Sequence, residues 1–329
     1  MQYKALVIDE TQDGRFNSAI RQLDSEQFLP AGDVLVRVHY SSLNYKDALS
    51  VTGNKGVTKK YPHTPGIDAA GVVEESLSPL FHPGQEVIVT GFDLGMNTPG
   101  GMGQLIRVPA EWVVALPEGL TMKESMIFGT AGFTAAISVQ KIIQQIQPSA
   151  GAVLVSGATG GVGSMAVAML AGLGYEVHAI SGKETENEFL RTLGASVIYP
   201  RSDFQEVTPK PLLSSRFAGA VDTVGGEILV NMIKSVKQDG IVTTCGSVSS
   251  TTLNLNVFPF ILRAVSLVGI SAQNYPATLR PELWKQLASG FKPEALLTMF
   301  NEITLEEVPD AVAKILKGQL KGRTLIEIK

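Results

Sequence analysis

Cysteine is almost missing from this chain. Cys245 stands alone among 329 residues, which excludes an intramolecular disulfide and any site built from several thiolates, structural zinc and iron–sulfur centres included. A reducing compartment, the cytoplasm, is therefore the expectation. Histidine is nearly as scarce: His39, His63, His82 and His178 sit singly, without a second histidine or cysteine three or four residues away, so no preformed metal site is expected. Charge is thin as well. Charged residues are 18% of the chain, and 27 basic against 31 acidic side chains leave a formal charge of −4 with no long block of one sign. Neither a nucleic acid nor an anionic membrane finds an electrostatic footprint here, and a small molecule is the expected partner. The opening strand-like segment, Met1 to Glu10, meets acidic residues too early to hold the apolar core of an export signal.

What the chain does have is length and glycine. At about 150 residues per domain, 329 residues predict two domains, and 33 glycines imply many tight turns or close backbone approaches. The first 125 residues read as short strands (3–9, 33–41, 68–75, 86–91, 104–109, 113–116) punctuated by Gly, Pro and Asn, the pattern of an antiparallel barrel-like module with long loops at 51–66 and 92–103. From about Lys123 apolar strands alternate with helices: helix 124–146, strand 152–156, helix 163–172, strand 176–181, helix 185–193, strand 196–199, then strands at 219–222, 240–245 and 266–270. Such alternation predicts a doubly wound parallel sheet. A last strand at 324–328 is expected to return to the first domain.

The strongest local signal is the apolar strand Ala152–Ser156 followed by Gly157-Ala158-Thr159-Gly160-Gly161-Val162-Gly163 and a helix of small residues. Backbone without Cβ lets amide N–H groups and a helix N-terminus approach a pyrophosphate. Two frames overlap, the 157/160/163 triplet and Gly161-x-Gly163-x-x-Ala166, and the motif alone leaves both open. Twenty positions beyond Gly161 lies Ser181, where an NAD site places an acid for the ribose 2′-hydroxyl. Ser181-Gly182-Lys183 instead offers a hydroxyl, open backbone and a cation, and Arg201 adds a guanidinium; this chemistry suits the 2′-phosphate of NADPH. Glu184 and Glu186 weigh against it. Cys245, at the end of a predicted core strand, reads as a small buried hydrophobe rather than a nucleophile. The run Asn44-Tyr45-Lys46-Asp47 reads equally well as a helix start capped by Asn44 and as dense polar chemistry.

Taken whole, the chain resembles the medium-chain dehydrogenase/reductase superfamily. Asn44–Asp47, Pro65-Gly66-Ile67-Asp68-Ala69-Ala70-Gly71, Gly129-Thr130-Ala131-Gly132-Phe133-Thr134-Ala135 and Pro259-Phe260-Ile261-Leu262-Arg263 look like its zinc-independent quinone-oxidoreductase-like branch, closest to the YhdH/YhfP acryloyl-CoA reductase group. Zinc-dependent members carry a cysteine in the segment matching 41–47 and a His-Glu pair where this chain has Ile67-Asp68, so the resemblance implies no metal.

What the resemblance implies is an α/β enzyme with a GroES-like β-barrel catalytic domain (1–125 and 295–329) and a Rossmann NADPH-binding domain (126–294). Its chemistry would be hydride transfer to an activated C=C bond, acryloyl-CoA to propionyl-CoA being the favoured case. Tyr45, Asn44 and Asp47 are the implied catalytic residues, with Tyr45 also beside the nicotinamide. Thr159, Gly160, Gly161, Val162 and Gly163 would hold the pyrophosphate, and Ser181, Gly182, Lys183 and Arg201 the 2′-phosphate. Thr130, Thr134, Gly246, Ile261 and Ser271 complete the expected cofactor contacts. Lys55, Lys59 and Lys60 are candidates for a coenzyme A phosphate. The rival readings are an NADPH:quinone or small-enone oxidoreductase and an NADPH-binding protein without turnover. A homodimer paired through an edge strand near 266–270 is the expected assembly.

Overall fold

A computed structural model describes residues 1–329, in two compact units. The first comprises Met1–Thr130, Gln273–Ala288 and Leu296–Lys329; the second comprises Ala131–Ala272 and Ser289–Ala295. Relative to the boundaries expected from sequence, residues 126–130 and 273–288 change sides and fold with the first unit. Arg280 supplies the reason for the second stretch. Almost fully buried, it donates to the carbonyls of Thr90 (2.8 Å), Gln273 (3.1 Å) and Tyr275 (3.2 Å) and lies 4.2 Å from the centre of the Phe92 ring.

Strands are numbered along the chain. In the first unit β1 (Gln2–Glu10) and β2 (Phe16–Asp24) make an antiparallel pair. There follow β3 (Val34–Ser42), β4 (Asp68–Ser76), β5 (Glu86–Thr90), β6 (Leu105–Val108) and β7 (Val113–Ala115). The second unit holds β8 (Val153–Val155), β9 (Val177–Ser181), β10 (Ala195–Pro200), β11 (Phe217–Asp222), β12 (Val236–Thr244) and β13 (Ser266–Gly269). The chain then returns to the first unit in β14 (Phe300–Thr304) and β15 (Arg323–Glu327).

The main sheet of the first unit runs β14-β15-β3-β4-β5-β7, with β6 also on β3. It is mixed rather than wholly antiparallel, since β14 and β15 are parallel. The closing strand does return, pairing antiparallel with β3 through Leu325–Ser42, Ile326–Ser41 and Glu327–Tyr40. Strand β3 is central, and Val34, Leu35, Val36 and Val38 are all buried. Strand β2 escapes sequence reading because its FNSAIRQLD is polar and largely exposed; cross-strand pairing with β1 and the packing of Phe16, Ile20 and Leu23 hold it extended.

In the second unit all six strands are parallel, in the order β10-β9-β8-β11-β12-β13. Strands covered on both faces are apolar throughout rather than alternating, as in β8 and β11, whose residues are all buried. The strand order reverses between β8 and β11. In a doubly wound sheet that reversal opens the crevice, at the carboxyl ends of the strands, where dinucleotides bind. The helix Met122–Gln145 is long and apolar enough to cross a membrane, yet 78% of its most apolar window is buried inside the protein. It is broken at Gly129, whose φ of 50° suits only glycine at low cost; a Cβ there would press on the Asp68 carboxylate and the Ser42 hydroxyl.

Candidate active site

In the first unit the chain leaves β3 at Ser42 and enters the helix Tyr45–Val51 with Asn44 as its N-cap. Around this turn lies a buried charged network. Asp68, with no exposed surface, accepts hydrogen bonds from the Ser42 hydroxyl (2.6 Å), the Asn44 amide Nδ2 (2.7 Å), and the Thr130 N–H (2.9 Å) and hydroxyl (2.6 Å). Arg323, the first residue of β15, brings a guanidinium nitrogen to 3.8 Å from the same carboxylate. It also donates to the Ser42 hydroxyl (2.7 Å) and to the carbonyls of Ile127 (3.0 Å) and Leu43 (3.2 Å). Burial lowers the affinity of Arg323 for its proton, and the charges of Asp68 and Asp47 oppose that.

In this arrangement two of the residues expected to be catalytic are engaged in internal hydrogen bonds. The Asn44 side chain is wholly engaged, its Nδ2 on Asp68 and its Oδ1 receiving Arg323 at 3.3 Å. Asp47 is fully buried and accepts the N–H groups of Asn44 (2.7 Å) and Ile67 (2.9 Å). Both hold the turn in place, and the polar side-chain atoms of both have partners within the protein. Burial, with the Asp68 charge second, pushes the Asp47 carboxyl up to about 7. Tyr45, by contrast, is 40% exposed, and its hydroxyl takes no part in the network. Beside it the Lys46 ammonium donates to the Gln273 side-chain oxygen at 2.6 Å, and burial lowers its pKa against the pull of Asp47.

The second unit holds the glycine turn. Gly157 has a φ of 57°, Gly160 is the N-cap of the helix Gly161–Gly172, and a Cβ on Gly163 would overlap the Gly157 carbonyl. The 157/160/163 frame is thus the one the geometry uses: a left-handed turn, a helix start and a close approach. Gly161, Val162 and Gly163 form the first helical turn, an N-terminus with unpaired N–H groups suited to an anion. At the ends of β9 and β10, Ser181 accepts the Lys183 N–H (3.0 Å) and the Ser181 carbonyl accepts the Arg201 N–H (2.9 Å). The Arg201 guanidinium covers Gly182 so closely that a Cβ would collide with it. Burial lowers the Lys183 ammonium pKa, Glu186 raises it, and Arg201 lowers it further. The Arg201 guanidinium over Gly182, with the Lys183 ammonium within its field and no acid replacing Ser181, fits a 2′-phosphate, and the glycine cradle fits a pyrophosphate.

The other expected contacts are scattered. Thr130 turns both its N–H and its hydroxyl to Asp68. Thr134 and Thr159 are buried, Gly246 abuts the Thr223 carbonyl, and Ile261 projects from the helix Phe258–Arg263 with 66% exposure. Ser271 lies just past β13. Lys55 is already taken, donating to Glu10 at 2.5 Å and sitting over the Tyr61 ring at 4.7 Å. Burial pushes the Cys245 thiol up to about 12, as befits a hydrophobe rather than a nucleophile. Sequence reading missed Ser42, Asp68 and Arg323 as a unit. An arginine opening the closing strand, ahead of its apolar Leu325 and Ile326, is the available signal.

Comparison with known proteins places two families on the chain: the alcohol dehydrogenase GroES-like domain on residues 30–118 and the zinc-binding dehydrogenase on residues 161–289. Zinc does not fit these residues. No group of three His, Cys, Asp or Glu side chains converges, and the Asp68 oxygens are occupied by internal donors. The chain is 43% identical, over 99% of both sequences, to "Probable acrylyl-CoA reductase AcuI" of Escherichia coli K12. It is 42% identical to "Putative quinone oxidoreductase YhfP" of Bacillus subtilis over 92% of this chain and 93% of that one. Among solved structures, the YhdH oxidoreductase of Salmonella enterica in complex with NADP superposes with a TM-score of 0.95 at 44% identity, covering 99% and 100% of the two chains. Bacillus subtilis YhfP with NAD bound gives 0.96 at 39% identity, covering 100% of each.

Proposed function

The chain belongs to the medium-chain dehydrogenase/reductase superfamily, in the branch that holds AcuI, YhdH and YhfP, and on that premise we propose that it is an NADPH-dependent reductase of activated C=C bonds, with a short enoyl thioester, acryloyl-CoA first, as substrate. The end-to-end likeness to the acrylyl-CoA reductase AcuI carries the reading. The NADP complex of YhdH and the cations at Lys183 and Arg201 support the choice of nicotinamide.

The residues proposed to hold the cofactor are the glycine turn 157–163 for the pyrophosphate and Ser181, Lys183 and Arg201 for the 2′-phosphate; when bound, its nicotinamide would supply a hydride to the β-carbon of the acceptor. The task left to the chain is to meet the charge that spreads onto the acceptor's carbonyl oxygen as an enolate. Of the two polar groups at the start of the helix Tyr45–Val51, the Tyr45 hydroxyl and the Lys46 ammonium steadied by Gln273, the ammonium suits it. Asn44 and Asp47 position both. Phenols are slow acids at neutral pH, so we assign the α-proton to water and to Tyr45 a packing role. Tyr45→Phe then leaves kcat within about tenfold, whereas a fall of about 10²–10⁴ would make its hydroxyl the enolate's donor or the acid. The same reading carries a homodimer paired along the edge strand β13, to be read from mass in solution.

The decisive experiment is a steady-state survey of acryloyl-CoA, crotonyl-CoA, enones and quinones with NADPH and NADH. The expected outcome is the highest kcat/KM for acryloyl-CoA with NADPH. A preference for quinones would favour the second reading, which rests on the likeness to YhfP, and no turnover with any acceptor would overturn both.

A further inference from the structure

Asp222 ends β11 on one side of the strand-order reversal, and Ser156 follows β8 on the other. The two are joined: the Ser156 hydroxyl donates to Asp222 Oδ1 at 2.8 Å. The same carboxylate, with no exposed surface, also accepts the N–H groups of Val224 (3.2 Å) and Gly225 (3.0 Å) and the Thr244 hydroxyl (2.9 Å). Ser156 in turn accepts the Thr223 N–H at 2.9 Å, and the Asp222 carbonyl accepts the Cys245 N–H at 3.1 Å. One side chain therefore ties the ends of β8, β11 and β12 together. No lysine or arginine lies at ion-pair distance; four neutral donors satisfy the charge.

A buried carboxylate held only by neutral donors is demanding, because each donor needs an acceptor and the charge needs all of them. Backbone crowding shows how tight the result is. A Cβ on Gly246 would overlap the Thr223 carbonyl, and one on Gly157 would overlap the Thr223 hydroxyl. In a doubly wound sheet the pyrophosphate sits on the first glycine turn, one nucleoside extends towards the second strand, and the other half crosses the reversal to the far strands. Asp222 stands on that far side, away from Ser181, Lys183 and Arg201 at the ends of β9 and β10.

We propose that Asp222 is a positioning residue that shapes the nicotinamide half of the cofactor site, by holding the loops after β8, β11 and β12 in one arrangement through its carboxylate. This inference rests on the reading that the chain binds NADPH. An amide at 222 keeps the volume but offers one acceptor oxygen in place of two, so the Gly225 N–H is left with a single partner, the Thr244 hydroxyl must reverse its hydrogen bond, and the loops are held less firmly.

The test compares two probes on the purified protein: NADPH, followed by its fluorescence, and adenosine 2′,5′-bisphosphate, which carries only the adenosine half, followed by calorimetry. Asp222→Asn should weaken NADPH by about 10-fold or more and leave the bisphosphate within about 2-fold. Ser156→Ala, a milder change kept in case the first variant does not fold, should show the same split at about 3–10-fold. Equal loss of both probes would mean that the carboxylate merely supports the whole unit, and no loss of either would mean that it positions nothing; each result overturns the proposal. Failure of the unmodified protein to bind NADPH would instead overturn the function proposed above.

Discussion

Each unit buries one aspartate at a strand end, and the two are satisfied in opposite ways. Asp68, opening β4, shares its surroundings with a guanidinium and a second carboxylate, Asp47. Asp222, closing β11, meets only hydroxyls and backbone amides. The first is a cross-link between distant parts of the chain: Arg323 and Ser42 are 281 positions apart. The second gathers loops that lie side by side at one edge of a sheet. The difference teaches that the polar residues of the first unit are largely absorbed by its own architecture, leaving Tyr45 and Lys46 at its edge. In the second unit, buried polar groups build a frame, and other side chains at the strand ends present charge outward.

Removing the cation from the first network should have the largest effect. Arg323→Met leaves Asp68 and Asp47 buried without a counter-charge, and such a loss costs about 3–5 kcal/mol. Chemical denaturation should show it, and adding Asp68→Asn should recover part of the stability; full stability in the single variant would mean that the network does not depend on its charge. In the second unit the charges are proposed to meet the 2′-phosphate, so Lys183→Ala should spare the fold and weaken NADPH by about 1.5–3 kcal/mol, with NADH nearly unchanged. Equal loss for both nicotinamides would place the 2′-phosphate elsewhere.

A smaller effect should appear in the pH dependence of the first unit. Burial pushes the Asp47 carboxyl up from the ordinary 3.8 to about 7 in the folded chain, so below about pH 4 it is protonated in both states and adds no penalty. Between about pH 4 and pH 7 the unfolded chain releases the proton while the folded one keeps it, and stability falls as pH rises. Melting curves of the parent chain should therefore drop relative to Asp47→Asn across that window, and parallel curves would show that the carboxyl titrates normally. The smallest effect belongs to Lys55. Its ion pair with Glu10 is half exposed, so Lys55→Ala should alter stability by about 0–1 kcal/mol. Because the ammonium is already engaged, KM for a CoA thioester should stay nearly constant; a large rise would return Lys55 to the substrate.

Much of the second unit was legible because its signals are local. Apolar runs separated by helices announce a parallel sheet, and a glycine run after a strand announces a turn without Cβ atoms; each constraint lies within a few neighbours. The absence of an acid at Ser181 could be read in the same way. The first unit was less legible. Asn44–Asp47 stands out as polar, but nothing in that run tells an outward side chain from a buried one, and of the three residues expected to be catalytic Asn44 and Asp47 are buried while Tyr45 is exposed. Strand β2 has no apolar alternation to betray it.

By itself, then, the sequence determined the division into a β-rich and a parallel-sheet part, the glycine turn, the lack of a metal-ligand set and the cationic end of β9, since period, backbone freedom and residue inventory are properties of short stretches. Tertiary structure alone decided that Arg323 meets Asp68, that 273–288 folds with the first unit through Arg280, and that Asp222 binds three loops into one edge. Those outcomes depend on which buried donor finds which buried acceptor once the chain has closed, and the cost of leaving any of them unpaired selects the partners.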